Sequence, residues 1–263
     1  MSGAKVLIAD LRLQQEAQDL LRGSETAGKV AYTKCDVCSW KDLEQLPSEV
    51  EMAFGKGSVA DVWIAGAGVF EPNVSSFFLD QEEESYRAMR INAEHPIKLT
   101  RIAMRSCLQA NKAGVVLIVA SGAGVKGFYG LPLYCATKHA VVGFTKSMAQ
   151  ADEDENIKVL AVCPGIVATP LWTGRGAKDV AKQYAYNEQM AISAEEVARA
   201  MKDLVEQGKY GGGSLLEMTK ANGSRLLDSS NSELANNSSP EAKAWIEGVY
   251  ATPREILNKE RRS

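Results

Sequence analysis

Tyr134, Lys138 and Ser121 have the residue types and the spacing of a proton-transfer site. The tyrosine and the lysine form a Tyr-x-x-x-Lys pair, Ser121 lies thirteen residues before the tyrosine, and Asn92 lies in an earlier amphipathic segment. Phenol, hydroxyl and ammonium groups are among those that give a proton to an oxygen atom or remove it in enzymes. Residues four apart share one face of a helix, so the phenol and the ammonium would lie side by side.

The pair alone is a weak signal, because a surface tyrosine and lysine at this spacing occur often by chance in a chain with 8 tyrosines. Its surroundings strengthen it. Segment 115–120 is continuously apolar, which is typical of a fully buried strand, and it ends at Ser121. A helix over residues 133–150 would then begin with the pair. A buried strand, a serine at its end and a tyrosine one turn before a lysine together favour a catalytic site over a surface pair.

Short apolar runs alternate with segments of helical periodicity along the chain. This alternation predicts βαβ units and an α/β fold with a doubly wound parallel sheet, covered by helices on both faces. Ligands of such sheets bind at the carboxyl ends of the strands. The predicted strands are residues 5–9, 30–33, 62–65, 115–120, 159–162 and 214–218, and the predicted helices are residues 14–21, 41–54, 82–110, 133–150, 194–207 and 241–257.

The chain is predicted to form one domain. Residues 1–219 make up the α/β unit, and residues 220–263 add a C-terminal loop and helix to the same domain, with a loop or mobile tail over residues 221–240. The net charge of −3 gives no reason to expect a nucleic acid or an anionic membrane as partner. Neither a bilayer-spanning apolar stretch of about 20 residues nor a signal peptide is visible, so we expect a cytoplasmic protein.

Several segments together resemble the short-chain dehydrogenase/reductase family, and the closest resemblance is to its 15-hydroxyprostaglandin-dehydrogenase-like members, including fungal ones of secondary metabolism. The resemblance implies a Rossmann-like fold over residues 1–219 and an NAD(P)-dependent oxidoreductase that interconverts a secondary alcohol and a ketone. The segments that carry it are the active-site stretch 118–144, the Pro-Gly loop 163–169, the helix asparagine Asn92, the pair Asp36-Val37, and segment 61–68, where the family usually carries Asn-Asn-Ala-Gly.

The resemblance also implies a role for each catalytic residue. Tyr134 would be the general acid for ketone reduction or the base for alcohol oxidation, and the ammonium of Lys138 would lower the phenol's ordinary pKa of about 10. Ser121 would hydrogen-bond the substrate oxygen and stabilise the charge that develops there. Asn92 would position a water molecule that links Lys138 to solvent.

The cofactor implied by the resemblance is NAD, with NADP as the alternative. An acid at the end of the first predicted strand, Asp10, would accept hydrogen bonds from the adenosine ribose and so disfavour a 2′-phosphate, although Arg12 leaves room for one. Asp10 could also cap the helix that follows. The full set of residues implied to contact the cofactor is Asp10, Asp36, Asn92, Tyr134, Lys138, Val167 and Thr169.

Members of the family begin with a strand, a Thr-Gly-x-x-x-Gly-x-Gly loop and a helix, and the resemblance implies that these are missing here. Strand 5–9 would then lack its inner neighbour, which the family places between it and strand 62–65. Two functions remain open: an active dehydrogenase, and a non-catalytic remnant or binding protein of the same fold with impaired dinucleotide binding. The four catalytic residues favour the first, and the absent loop favours the second.

Three other features are interpreted as structural. Segment 122–127 has the pattern Gly-x-Gly-x-x-Gly but leads into a loop, so it is expected to lie beside the active site and not to bind a dinucleotide. Cys35 and Cys38 form a lone Cys-x-x-Cys pair without a second pair, so no metal site is expected. His95 and His139 are expected to be structural.

The substrate is expected to be a small molecule. Region 168–190 would form its lid, and the aromatic and apolar content of that region suggests a hydrophobic alcohol or ketone. The particular substrate and the direction of the reaction stay open. Family analogy implies a homo-oligomer. The lid residues singled out are Trp172, Tyr184, Tyr186 and Met190.

Overall fold

The computed structural model describes residues 3–23, 26–71, 74–173, 181–182, 184–227 and 239–262. The strands are β1 (Val6–Asp10), β2 (Val30–Lys34), β3 (Val62–Ala65), β4 (Gly114–Val119), β5 (Ile157–Pro164), β6 (Val167–Ala168), β7 (Ile192–Ser193), β8 (Leu215–Thr219) and β9 (Gly223–Leu227). The helices are α1 (Gln15–Arg22), α2 (Trp40–Phe54), α3 (His95–Gln109), α4 (Pro132–Ser147), α5 (Gln150–Glu155), α6 (Pro170–Thr173), α7 (Ala194–Glu206) and α8 (Pro240–Glu260). A short α-helical turn (Arg87–Met89) and a π-helical turn (Arg90–Glu94) lead into α3.

The main sheet has the order β3-β4-β5-β8-β9, and every pairing in it is parallel except that of β8 with β9. Its centre is the most buried part of the molecule. Residues 116–118 of β4 and residues 159–163 of β5 are fully buried, as expected for strands covered on both faces. The predicted α/β fold with a mainly parallel, doubly wound sheet is confirmed.

Helices cover the two faces of this sheet. One face packs against α2, α3 and α4, through residues that include Leu43, Ile102 and Val141. The other face packs against α7, through Val197 and Leu204. The alternation of side chains along each strand sends one set to each face, so neighbouring residues of β4 belong to different cores. This arrangement fixes the carboxyl ends of β4 and β5 side by side.

β1 and β2 form a separate parallel pair. Within the described residues, β1 pairs only with β2 and β3 only with β4, which leaves a gap in the hydrogen-bonded pairing between β1 and β3. Each of these two strands has an exposed apolar side chain: Val6 of β1 is 48% exposed and Ile64 of β3 is 50% exposed. Residues of α2 lie in the same core as residues of β3, with Ala9 of β1 packed against that core. This packing joins the β1–β2 pair to the main sheet on one face.

Three predicted elements differ from the structure. The helix predicted over residues 82–110 begins only at Arg87, and the helix predicted over 133–150 ends at Ser147 before a new turn begins at Gln150. Segment 221–240 was expected to be a loop, but residues 223–227 form the antiparallel edge strand β9. The prediction was wrong there because polar composition does not exclude an edge strand, whose side chains remain largely in water. Residues 228–238 lie outside the described residues.

We expect the unpaired edges of β1 and β3 to make the 263-residue chain self-associate, because an exposed apolar edge strand pairs readily with other strands. Ile64→Lys should weaken this association, since an edge lysine opposes pairing. Val249→Lys, at an equally exposed apolar position on α8, is the matched control. Sedimentation velocity measures the self-association of the unmutated chain and of both variants. A chain that stays monomeric at tens of micromolar, or equal effects of the two substitutions, would show that the gap does not drive association.

Candidate active site

A cavity of about 680 Å³ lies where the carboxyl ends of β3, β4, β5 and β8 meet. Parallel strands bring their carboxyl ends to one edge of the sheet, which is where this fold binds ligands. The cavity brings together three of the predicted catalytic residues, Ser121, Tyr134 and Lys138. The rest of its lining is mostly apolar, including Phe70, Leu131, Val167, Leu171, Trp172 and Tyr184.

Lys138 is a deeply buried charged group of the cavity, with 4% of the residue exposed. Its Nζ donates a hydrogen bond of 2.8 Å to the carbonyl oxygen of Val119, the last residue of β4. Burial disfavours the ammonium and lowers the pKa of Lys138 to about 8, an effect that nearby Cys163 partly opposes. Gly68, in the loop after β3, lies close to this ammonium: a Cβ at that position would be in ordinary van der Waals contact with Nζ, at 3.9 Å.

Tyr134 and Ser121 both line the cavity. A hydrogen bond with Ser121 lowers the pKa of the Tyr134 phenol, but burial raises it more, so the net pKa lies above the ordinary value of a tyrosine. Nζ of Lys138 lies 5.7 Å from the centre of the Tyr134 ring. The expectation that Lys138 lowers the pKa of Tyr134 is therefore not met in this arrangement, because desolvation of the phenol outweighs its favourable contacts.

Asn92 lies in the π-helical turn, a local widening of a helix that is frequent at functional sites. Its amide is occupied by backbone: Oδ1 accepts from the N–H of Val69, and Nδ2 donates to the Val69 carbonyl, both at 2.9 Å. Nδ2 also donates to the hydroxyl of Thr137, at 3.2 Å. Asn92 thus fastens the loop after β3 to α4 beside Lys138. Its implied role in positioning a water molecule stays a prediction.

Phe70 is a site residue that the sequence analysis missed. Its ring lies 4.7 Å from the ring of Tyr134, 5.2 Å from that of Trp172 and 5.3 Å from that of Tyr184. The predicted lid contributes Trp172 and Tyr184 to the cavity wall, and Tyr186 stacks on Trp172 at 5.2 Å. Residues 174–180 and 183 of that predicted lid lie outside the described residues. Met190, also expected in the lid, is 56% exposed and does not line the cavity.

The glycine-rich segment after β4 forms a short 3₁₀ turn, Gly122–Gly124, and not the start of an α-helix. Ser121 caps this turn by accepting a hydrogen bond from the N–H of Ala123. Gly124 packs directly on α4: a Cβ there would lie 2.7 Å from the carbonyl oxygen of Lys138 and 2.8 Å from a methyl group of Val142. The segment is therefore part of the active-site wall, as predicted.

The predicted cofactor residues fall into two groups. Val167 and Thr169 line the same cavity as Tyr134 and Lys138. Asp10 and Asp36 lie at the ends of β1 and β2, and Asp36 lines a separate cleft of about 380 Å³ with Arg87 and Arg90 among its other residues. Asp10 does not cap α1, as one interpretation had it, because the N-cap residue is Gln14. Its carboxylate accepts instead from the N–H of Arg12.

The remaining candidates have ordinary structural surroundings. No group of three or more His, Cys, Asp or Glu side chains is placed to hold a metal ion in the described part of the chain. Burial raises the pKa of the Cys35 thiol to about 11, which leaves it unreactive. His95 is buried against the carbonyl oxygen of Ile91, and burial lowers its pKa to about 4. His139 contacts the carbonyl oxygen of Cys135.

Comparison with known proteins points to one family. Residues 1–180 match the family model described as short chain dehydrogenase. The rat protein 15-hydroxyprostaglandin dehydrogenase [NAD(+)] is 24% identical over 87% of this chain and 86% of its own length. The protein 3beta-hydroxysteroid dehydrogenase 2 of Eggerthella lenta is 30% identical over 66% of this chain and 65% of its own length.

A solved structure has the same fold. The chain superposes with a TM-score of 0.67 on a 4-hydroxyisoleucine dehydrogenase mutant complexed with NADH and succinate, covering 81% of this chain and 86% of the other. The sequence identity is 19%, so this similarity bears on the fold alone. Among the described residues, no helix has the length and apolar character needed to cross a membrane.

The close packing of Gly124 on α4 gives a direct test of how the site is held. Gly124→Ala should destabilise the protein by about 1–3 kcal/mol, because the new methyl group would overlap the backbone at Lys138. Gly127→Ala is the matched control in the same segment, since a Cβ there would meet no atom within 4 Å. Chemical denaturation measures the free energy of unfolding of both variants. If Gly124→Ala were as stable as Gly127→Ala, the turn would not pack on α4 as described.

Proposed function

Because the chain belongs to the short-chain dehydrogenase/reductase family, we propose that it is an NAD-dependent oxidoreductase that interconverts a hydrophobic secondary alcohol and its ketone. The observation that carries this proposal is the meeting of Ser121, Tyr134 and the buried ammonium of Lys138 in one largely apolar cavity. These groups supply a proton donor, a hydrogen-bond donor and a cation at one place.

The chain's own residues handle the substrate oxygen and its proton. With a pKa above that of an ordinary tyrosine, Tyr134 is a phenol at neutral pH and gives a proton to the oxygen of a ketone. Ser121 donates a hydrogen bond to the same oxygen and stabilises the negative charge that develops there. In the opposite direction the phenolate of Tyr134 accepts the proton of an alcohol, a state that the raised pKa of Tyr134 confines to higher pH.

The cofactor in this proposal is NAD, which supplies or accepts the hydride when it is bound. The side chains at the nicotinamide end fit this role, because Lys138, Val167 and Thr169 border the cavity beside Tyr134. At the adenosine end Asp10 would disfavour the 2′-phosphate of NADP by charge repulsion.

The proposed substrate is apolar next to its reacting oxygen. Aromatic rings of Phe70, Trp172 and Tyr184 form the wall beside Tyr134, and such a wall suits a flat or cyclic hydrophobic group better than a sugar. The relatives named above act, by their names, on a 15-hydroxyprostaglandin and a 3beta-hydroxysteroid. Both names describe hydroxyl groups on largely apolar molecules, which supports the proposal.

The proposal extends to the organisation of the protein. We place the dehydrogenase domain at residues 1–219 and treat 220–263 as its C-terminal part. The contacts of α8 support this assignment, because Leu257 packs against the core around Met104 and Leu108 and Arg101 pairs with Glu260. A cytoplasmic location and a homo-oligomer complete the proposal by analogy with the family.

A second candidate function is a binding protein of the same fold with impaired dinucleotide binding. The gap in the sheet between β1 and β3 favours it, because the family's pyrophosphate loop leads out of the strand that would fill that gap. Such a protein would keep the cavity around Tyr134 but would show no turnover.

The acid–base role of Tyr134 is tested by Tyr134→Phe, which removes the hydroxyl and keeps the ring. The substitution should lower kcat for a panel of aromatic secondary alcohols at least about a hundredfold, the usual contribution of a general acid or base, and leave the Kd of NADH nearly unchanged. Tyr129→Phe makes the same change on a side chain of a residue that is 89% exposed and should have no effect. Turnover retained by Tyr134→Phe would refute the assignment.

A further inference from the structure

We infer that Glu71 is a positioning residue: its buried carboxylate holds the start of α4, and with it Tyr134, against the loop that follows β3. Neither the sequence pattern nor the resemblance singled this residue out. Its expected effect on turnover rests on the proposed function, whereas its effect on the backbone of Tyr134 does not.

The carboxylate of Glu71 is buried and bonded at both oxygens. Only 2% of the residue is exposed. Oε2 accepts a hydrogen bond of 2.9 Å from the N–H of Tyr134, and Oε1 accepts one of 3.0 Å from the N–H of Phe77. In the described part of the chain no lysine or arginine forms an ion pair with it. A buried carboxylate is costly unless it is bonded, so these two N–H groups fix its position.

Helix α4 depends on an acceptor from outside itself. The first N–H groups of any helix lack partners within that helix, and Leu131, the N-cap residue of α4, provides no side-chain acceptor. Pro132 occupies the first helical position, and Tyr134 is the third. Glu71 satisfies the exposed N–H of Tyr134, and its negative charge also suits the positive end of the helix dipole.

The same carboxylate connects the start of α4 and the loop after β3 with an exposed aromatic stretch outside the cavity. Its chain neighbour Phe70 places a ring 4.7 Å from that of Tyr134. Its second partner, Phe77, begins an exposed aromatic stretch, in which Phe78 contacts Tyr129 of the loop before α4. Loss of the carboxylate would therefore free the start of α4 and the segment at Phe77 together, and the hydroxyl of Tyr134 would no longer hold one position relative to Ser121.

Two variants separate positioning from a general loss of stability. Glu71→Ala removes both acceptor oxygens. Glu71→Gln replaces the two carboxylate oxygens with one amide oxygen, so one acceptor remains. Hydrogen exchange of the Tyr134 amide should accelerate about tenfold or more in Glu71→Ala and less in Glu71→Gln, because a hydrogen bond to a charged group is lost completely in the first and partly in the second. The amides of Val141 and Val142, in the middle of α4, should keep their exchange rates.

The matched control is Glu155→Gln, which neutralises another buried glutamate, one that pairs with Arg261 far from the cavity. In turnover assays kcat should fall about tenfold in Glu71→Ala, recover in part in Glu71→Gln and stay unchanged in Glu155→Gln, with the Kd of NADH constant throughout. Absence of turnover in the unmutated protein would refute the proposed function and leave the exchange result to decide on Glu71. The inference would be overturned if the Tyr134 amide exchanged at an unchanged rate in Glu71→Ala. It would also be overturned if Glu155→Gln changed that exchange rate as much as Glu71→Ala does.

Discussion

The burial of the Lys138 ammonium at the end of β4 is the constraint on which the site depends. Removing a charged group from water costs several kcal/mol unless polar atoms replace the lost hydration. The carbonyl oxygen of Val119 does so at 2.8 Å, and the loop after β3 packs nearby, since a Cβ at Gly68 would lie 3.9 Å from Nζ. Strand β4, the loop after β3 and helix α4 must therefore meet within a few ångströms. Tyr134, one turn before Lys138, is thereby brought opposite Ser121.

The parts of this arrangement that follow from local chemistry could be predicted from the sequence. Continuous apolar runs identify β4 and β5, because strands covered on both faces contain few polar residues. The helical spacing of Tyr134 and Lys138 places both on one side of α4, and Ser121 follows a strand end. Parallel pairing of those strands then brings the three residues to one edge of the sheet, where the structure has them.

The parts of the fold and of the site that could not be predicted depend on contacts between distant parts of the chain, which no local sequence pattern indicates. Glu71 is 63 residues from its partner Tyr134, and Phe70 joins the site only because the loop after β3 folds over α4. The prediction that Lys138 lowers the pKa of Tyr134 was wrong for a similar reason. Burial raises that pKa, and burial depends on the whole fold. Strand β9 lies in a segment rich in Ser, Asn and Gly and forms because β8 offers it an edge.

Titration of the unmutated chain with NADH and NADPH tests most directly whether the surroundings of Lys138 form a nicotinamide site. Nicotinamide fluorescence should report saturable binding of NADH, tighter than that of NADPH. Asp10→Ala should narrow the difference, because it removes the charge that repels a 2′-phosphate. Lys138→Met should weaken binding of both. Absence of saturable NADH binding to the folded protein, or tighter binding of NADPH, would contradict the account.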